Sequence, residues 1–438
     1  MNILSNLFSI DSSPTDSSPR HKRNCAIEGV RGVAILLVFL CHYADIVVPQ
    51  FKLSAGWQKA AQGLSQAGRS GVALFFVLSG YLIYRTVARK DFHLLRFWGR
   101  RVQRIYPAFL AVFSIYLAMW LLGAGSDKTG EQLSSRIPHY TSAWCYVVEN
   151  LLFLPGIFPL KPLMNVAWSL SYEWFFYLAI PLGAAALGRI ARPLVRLSVV
   201  VVLCGVYLLA SYCKPAVSYA PLTGFVDFAA AHNGLVMFLA GVIVYEVLQL
   251  ESPGSRVLAR WEWPAAGTIL LGLCVPFYFG FLRSPSHAPV SSQRSDAGIA
   301  ACLFVAYGLL LCFSLRGSGF IERAMSFKPL RSLGNISYSF YLIHGIPIHV
   351  AAAFAARSSH LLGVASIASV AAMLLFLPVC LLFTTFVSLA LFVAVERPAS
   401  LRFEPKQLPQ QQSALRSPGL SLDVPSVANR FADGTLPT

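Results

Sequence analysis

An arginine and a histidine bracket the first apolar segment of the chain. Arg31 and His42 are eleven residues apart, and residues 32–41 between them carry no polar side chain except the Cys41 thiol. On a helix the pair would lie on nearly the same face, about 16 Å apart along the axis. A neutral imidazole can take a proton from a hydroxyl group. The alternative is structural, with Arg31 anchoring the helix at the rim and His42 bonded to a neighbouring helix.

Arginines also crowd the segment 89–107, which separates two apolar stretches. It contains Arg96, Arg100, Arg101 and Arg104. Arg101 and Arg104 are three residues apart, so on a helix they share a face and could bind the phosphates of a ligand arriving from the cytosol. The same residues could instead set the membrane topology and contact anionic lipid headgroups.

A carboxylate stands inside the apolar segment 165–178. Glu173 shares a helix face with Ser169, one turn earlier, and Trp168 precedes them. We expect Glu173 to orient an imidazole or to bind sugar hydroxyls. The alternatives are an interfacial aromatic belt around Trp168 and a structural hydrogen bond between helices.

A polar stripe occupies the apolar segment 334–347. Ser337, Tyr341 and His344 are spaced by four and three residues, which brings them to one helix face. A polar stripe within a membrane must face protein or a cavity. Hydrogen bonding between helices is the simpler explanation, and substrate contact is the functional one.

Two further features have a structural explanation first. Gly71 and Gly80 lie in an apolar segment, where small residues let helices approach closely and could also let a ligand chain lie against the backbone. Glu396 and Arg397 end the last apolar segment and predict a helix stop with an ion pair at the rim.

The composition indicates that these apolar segments lie in a lipid bilayer. The 438 residues are 56% hydrophobic and 12% charged, whereas soluble domains are about 25% charged. About 20 mostly apolar residues form a membrane-spanning helix. The pattern predicts an all-α, polytopic membrane bundle of about ten spans, at roughly 31–48, 70–88, 106–123, 166–187, 198–212, 232–250, 265–282, 297–315, 334–356 and 365–395.

The polar termini and the basic residues predict an orientation. Residues 1–24 and 401–438 are expected to be disordered cytosolic arms around a membrane domain at 25–400. An even number of spans puts both termini in the cytosol, and most of the 35 Lys and Arg residues fall in the segments so assigned. This bias accounts for much of the net charge of +16, so nucleic acid is not needed as a partner. No cleavage site for a signal peptide follows the first apolar run.

The nine cysteines are scattered, mostly inside apolar segments. No CxxC pair or Cys/His spacing indicates a metal site, and none of the cysteines requires a disulfide. No internal repeat of the kind found in many transporters is visible.

The order of the motifs is specific, and it resembles the acyltransferase-3 family of integral membrane acyltransferases. The resemblance covers residues 26–400. Its motifs are Arg-x10-His in the first span, GV-x-LFFVLSG-x-LI in the second, RR-x-x-RI-x-P before the third, W-S-L-x-x-E-x-x-FY in the fourth and ISYS-x-YL-x-H near the end.

This resemblance implies roles for the matching residues. His42 would be essential for transfer and Arg31 is its paired arginine, while Arg101 and Arg104 would lie near the phosphates of an acyl-CoA donor. Glu173 matches the acidic position of the fourth-span motif. Substrate contacts are expected from the fourth-span and late motifs, at Trp168, Ser169, Ser337, Tyr341 and His344.

Two positions depart from the family pattern. Glu28 stands where Asp before Gly is usual, and Ala73 stands where many members carry Asp. The second change removes a carboxylate from the expected site and places more of any acidic role on Glu173. The chain resembles the stand-alone form of the family, without the hydrolase-like domain that some relatives carry.

The resemblance implies a membrane O-acyltransferase, with acetyl-CoA as the expected donor and no metal. The acceptor would be a hydroxyl of a surface or exported polysaccharide, and the location a bacterial cytoplasmic membrane. Expected partners are membrane lipids, a glycan or glycolipid acceptor and polysaccharide assembly machinery. Direct transfer is favoured because no Gly-x-Ser-x-Gly elbow occurs, and an acyl-histidine intermediate stays open. The alternatives are an antibiotic or lipid acceptor and, outside the enzymes, a transporter of a polar solute.

Overall fold

The computed structural model describes most of the chain. It covers residues 19–51, 53–122, 142–158, 160, 162–213, 232–250, 260–282, 290–316, 319–359 and 367–401. These ranges are almost entirely helical and contain no β-strand. The predicted terminal arms therefore lie almost wholly outside the described residues, apart from the first helical turns after Pro19 and Leu401 at the end.

Fifteen α-helices make up the described residues. In chain order they are α1 Pro19–His42, α2 Ala55–Val87, α3 Leu94–Leu121, α4 Ala143–Leu151, α5 Trp168–Gly188, α6 Pro193–Cys213, α7 Val236–Leu250, α8 Glu262–Leu282, α9 Val290–Arg316, α10 Phe320–Met325, α11 Lys328–Asn335, α12 Ser337–Ile343, α13 Gly345–Ser359, α14 Ile367–Leu391 and α15 Arg397–Leu401.

The helix lengths confirm a polytopic helical membrane protein. Within the described ranges, eight helices are long and apolar enough to cross a bilayer. The pair α12 and α13, bent by 54° at its break, would make a ninth span. The remaining predicted span, 232–250, corresponds to α7, which is apolar but only 15 residues long.

Helix α2 is the centre of the bundle, because glycines let two neighbours reach its backbone. A Cβ added at Gly71 would lie 2.4 Å from the carbonyl oxygen of Ala34 in α1. One added at Gly80 would lie 2.0 Å from the carbonyl oxygen of Phe238 in α7. The close-packing role expected for these two glycines is confirmed, and their faces of α2 admit no side chain.

Several helix boundaries differ from the predicted ones. The α-helical part of the first span ends at His42, where a π-helix, Tyr43–Val47, takes over. Helix α2 begins at Ala55, well before the predicted start at 70, because residues 55–69 continue the helix with a more polar surface. Helix α14 runs through Pro378 without a break, and the irregular turn comes later, in a π-helix at Phe392–Glu396.

Candidate functional site

An elongated cavity, here called the first cavity, opens between α1, α2, α3, α5 and α12. Its volume is about 270 Å³. On α2 its lining runs from Val72 to Thr86, which is about 21 Å at 1.5 Å per residue. Its polar lining residues are Arg31, Ser79, Thr86, Arg101, Arg104, Ser169, Glu173, Tyr177, Ser337, Tyr338 and Tyr341.

Three arginines from two helices line one end, here called the arginine end. Nε of Arg31 donates a hydrogen bond of 3.1 Å to Oγ of Ser337. The guanidinium of Arg101 lies 5.3 Å and 5.5 Å from the ring centroids of Phe97 and Tyr177. Nε of Arg101 is buried and has no hydrogen-bond partner among the described residues. With Arg104 beside them, these donors form a site for an anion.

Glu173 belongs to the arginine end. Its Oε1 accepts hydrogen bonds from Oγ of Ser79, at 2.9 Å, and from the hydroxyl of Tyr177. Glu173 is close enough to Arg31 and Arg101 to interact with both charges. Its carboxylate therefore partly balances the arginines.

The depth of Glu173 separates it from His42. Gly68 in α2 packs directly on Cys41, the neighbour of His42, since a Cβ added there would meet the Cys41 nitrogen at 2.6 Å. Ser79, which binds Glu173, is eleven residues further along α2, or about 16 Å. Helix position thus places the carboxylate with the arginines and about three helical turns from His42, although one of the two roles expected for it was to orient an imidazole.

Two histidines meet at the other end and form the imidazole pair, His42 and His344. Their ring centroids are 4.7 Å apart in an edge-to-face arrangement. Nδ1 of His42 is 2.9 Å from the carbonyl oxygen of Val38, and Nδ1 of His344 is 2.7 Å from that of Tyr341. A carbonyl can only accept, so each Nδ1 donates, and a ring with its single proton there has its lone pair on Nε2.

His344 is fully buried, and its Nε2 has no hydrogen-bond partner within the described part of the chain. The 54° bend between α12 and α13 falls at this residue. A buried ring nitrogen without a hydrogen bond costs free energy, and the residue that carries this one lies at the break between α12 and α13, beside the ring of His42.

Tyr341 stands between the imidazole pair and the first cavity. Its ring lines the cavity and lies 5.9 Å from the ring of His344. The described residues that line the cavity do not include His42 or His344. Along α12, Ser337 thus reaches the arginine end, Tyr341 forms the wall and His344 packs behind it.

The fourth-span motif divides between two cavities. Oγ of Ser169 lies 2.6 Å from the hydroxyl oxygen of Tyr341 and lines the first cavity. Trp168 lines a second cavity of about 320 Å³, which Ala73 also lines. The first cavity therefore brings together Arg31, Arg101, Arg104, Ser169, Glu173, Ser337 and Tyr341, and leaves His42, His344 and Trp168 outside its lining.

One residue with a role at the site was not predicted there. Oε2 of Glu396 accepts hydrogen bonds from the backbone nitrogen of Ser339, at 3.2 Å, and from its Oγ, at 2.5 Å. These bonds cap the first turn of α12, the helix that presents Ser337 to Arg31. The available signal was a carboxylate at the end of an otherwise apolar span. Ser79 and Tyr177 were also missed, although both lie within the quoted motifs.

The described ranges contain no evident metal-binding site. Within them, no group of three or more His, Cys, Asp or Glu residues is arranged to hold a metal ion. Within the described residues, none of the nine cysteines forms a disulfide.

Comparison with known proteins identifies relatives of this chain. The Listeria monocytogenes peptidoglycan O-acetyltransferase OatA is 28% identical over 73% of this chain and 48% of its own length. The Streptomyces mycarofaciens acyltransferase MdmB is 27% identical over 74% of this chain and 79% of its own length. The chain thus spans about half the length of the Listeria relative. No solved structure matches the chain.

A family model gives the widest match. The model described as "Acyltransferase domain" matches residues 24–393, which include both the arginine end and the imidazole pair. The motif order and the helical membrane architecture agree with this match. The chain belongs to the acyltransferase-3 family.

Proposed function

We propose that this protein is a membrane O-acyltransferase that moves an acetyl group from acetyl-CoA to a hydroxyl of a surface or exported polysaccharide. Family membership and the name of the Listeria relative support acyl transfer to a glycan. The observation that carries the proposal is one cavity with three arginines at one end and two imidazoles packed behind the other.

The arginine end is suited to the phosphates of coenzyme A. Arg31, Arg101 and Arg104 line it, and Glu173 supplies a single carboxylate among the described lining residues. Guanidinium groups bind phosphate through charge-assisted hydrogen bonds, and the buried, unpaired Nε of Arg101 offers such a donor. We assign the arginine end to the cytosolic face of a bacterial cytoplasmic membrane, where acyl-CoA is available.

The volume of the first cavity limits which part of acetyl-CoA can enter it. Its volume of about 270 Å³ is below the range of about 300–1,000 Å³ usual for whole small-molecule sites. Its lining is long and narrow, and much of it is apolar. The pantetheine arm and acyl group would extend along α2 toward Tyr341, while the nucleotide stays outside, against the arginines.

His42 would act as the general base on the acceptor hydroxyl. Its Nε2 takes the proton as the hydroxyl oxygen attacks the thioester carbon. An ester bond forms, the carbon–sulfur bond breaks, and the leaving thiolate receives the proton back from His42. Each transfer thus returns the imidazole to its starting state.

Tyr341 must move for this contact to form. It separates the cavity from the imidazole pair, and its hydroxyl also donates to the carbonyl oxygen of Val166 at 3.1 Å. Catalytic contacts that form only with substrates bound are common. His344, packed on His42 and otherwise unpaired at Nε2, would hold the base in place as it gains its proton.

The test follows labelled acetyl-CoA through membranes that contain the full chain. We expect label to appear in polysaccharide as an ester with release of coenzyme A, and both to depend on His42. Label in lipid or in an added antibiotic would correct the acceptor, and hydrolysis of the ester at alkaline pH would identify an O-acetyl product.

A transporter of a polar solute is the rival from another class. It predicts solute flux across proteoliposomes with no consumption of acetyl-CoA. Flux of that kind, with no acetyl ester in any fraction, would overturn the proposed activity.

A further inference from the structure

We propose that the second cavity is the binding site for a sugar ring of the glycan acceptor. It is lined by Gln66, Arg69, Trp168 and Asp296 above an apolar floor that includes Phe76. The assignment of the sugar as an acceptor rests on the proposed acyl transfer, whereas sugar binding itself does not.

The polar lining matches hydroxyl groups. A carboxylate such as Asp296 accepts hydrogen bonds only, the guanidinium of Arg69 donates only, and the amide of Gln66 does both. A ligand whose groups both donate and accept, such as a sugar with several hydroxyls, can add hydrogen bonds to all three, also where a group already holds a protein partner, as Arg69 does with Asp45. A phosphate would meet the Asp296 carboxylate, and an acyl chain would add no hydrogen bond to these polar groups.

Trp168 supplies a flat apolar face next to these groups. It is 38% exposed, although its ring packs edge-on against Phe76 and Tyr172, with centroids 6.5 Å and 5.5 Å away. A pyranose ring has one face of C–H groups that can cover such an indole, while its hydroxyls point outward to polar partners. The volume of about 320 Å³ is at the lower end of small-ligand sites and suits one end of a glycan.

The position of the second cavity fits an acceptor. Val72 and Phe76 line both cavities, so these side chains form part of the wall between them. Ser169 follows Trp168 directly and contacts Tyr341 in the first cavity. A sugar hydroxyl in the second cavity would therefore lie across a thin wall from the acyl end of the donor.

The two cavities also lie at different depths. From Gln66 to Thr86 the combined lining covers 21 residues of α2, about 30 Å, which is close to the thickness of a bilayer's hydrocarbon core. At the Gln66 end, Arg69 pairs with Asp45 at 3.2 Å and its side chain is 64% exposed. The second cavity thus opens away from the arginine end, and donor and acceptor would approach from opposite faces.

The test measures sugar binding directly on the full chain in lipid nanodiscs. The probes are soluble chitotetraose and cellotetraose, detected by saturation-transfer NMR. We expect at least one probe to bind through its ring protons. Gln66→Leu and Trp168→Leu should each weaken that binding about tenfold, the usual effect of losing one good contact.

Matched controls come from the same chain. Gln62 is exposed one turn away on α2 and does not line the cavity, so Gln62→Leu should leave probe binding unchanged. Trp144 is 76% exposed on α4, and Trp144→Leu serves as the control for Trp168→Leu. Binding of neither probe to the wild-type protein, or equal binding by all four variants, would overturn the sugar site.

A parallel acetyl-CoA binding assay separates this inference from the proposed function. If the oligosaccharide binds and acetyl-CoA does not, the sugar site stands and the acyl transfer fails. If acetyl-CoA binds and neither oligosaccharide does, the first cavity keeps its role and the second-cavity site is wrong.

Discussion

The two ends of the first cavity differ in how their polar groups are satisfied. At the arginine end, Arg31 bonds to Ser337, and Glu173 accepts bonds from Ser79 and Tyr177, so charges of both signs lie together. Behind Tyr341 at the other end, outside the cavity lining, the side-chain hydrogen bonds that the described residues give His42 and His344 go to backbone carbonyls, and the two rings contact each other. The first arrangement suits binding of an anion, and the second suits a neutral base.

Helix α12 couples these ends. Ser337 at its start contacts Arg31, and His344 just beyond its end contacts His42. Glu396 holds its first turn through Ser339. This short helix thus sets the distance between the arginine end and the imidazole pair. In the proposed mechanism the first binds the donor and the second takes the proton, so substitutions at the two ends should affect different kinetic constants.

The largest expected effect is at the imidazole pair. His42→Ala should lower kcat by about 10²–10⁴, the usual contribution of a general base. The measurement is acetyl ester formation in purified membranes with the variant at wild-type abundance. His349, which is exposed on α13, is the control, and His349→Ala should keep full activity. A wild-type rate of ester formation by the His42→Ala variant would show that His42 takes no part in the reaction.

The next effect is at the arginine end. Arg101→Gln should raise the KM for acetyl-CoA about tenfold or more, because a charge-assisted hydrogen bond contributes about 1.5–3 kcal/mol. Arg100, its exposed neighbour, does not line the cavity, so Arg100→Gln should change KM little. The check is initial rate against donor concentration for both variants. Equal KM values for the Arg101→Gln and Arg100→Gln variants would show that Arg101 does not bind the donor and only sets the membrane topology.

A substitution of Glu173 tests whether its carboxylate acts at the arginine end or at the imidazole pair. Because it lies with the arginines and away from His42, Glu173→Gln should change kcat by less than about tenfold, below the 10²–10⁴ that a general base contributes. Rates at saturating acetyl-CoA give this number directly. A loss as large as that of His42→Ala would place Glu173 at the base after all.

Glu396→Gln should have the smallest effect. The amide oxygen can still accept from Ser339, so we expect a loss of about 1 kcal/mol in stability, typical of a weakened cap. A thermal unfolding scan in detergent would record it. An unchanged scan together with an unchanged KM would show that the first turn of α12 does not depend on this carboxylate.

Much of the architecture could be predicted because it follows from composition. Apolar length identifies spans, and close-packing glycines such as Gly71 and Gly80 mark helix contacts. The arginine cluster was also predictable, since Arg101 and Arg104 share a face by spacing alone. Arg101 and Arg104 both line the first cavity, together with Arg31.

The arrangement of the motifs around the cavity was not predictable in the same way. Spacing places Ser169 and Glu173 on one face, but it does not say that the preceding Trp168 faces a different cavity. Periodicity along 334–347 assumes one continuous helix, whereas the bend at His344 turns that residue behind Tyr341. Pairing of Glu396 with Ser339 depends on a tertiary contact 57 residues away in sequence.

Donor binding at the arginine end and proton transfer at the imidazole pair, which lies behind Tyr341, are the two halves of the proposed mechanism. Equilibrium binding of acetyl-CoA to the His42→Ala variant in nanodiscs, together with its rate of ester formation, tests this division most directly. We expect wild-type affinity for the donor and ester formation slowed by about 10²–10⁴. Loss of donor binding in this variant, or ester formation at the wild-type rate, would contradict it.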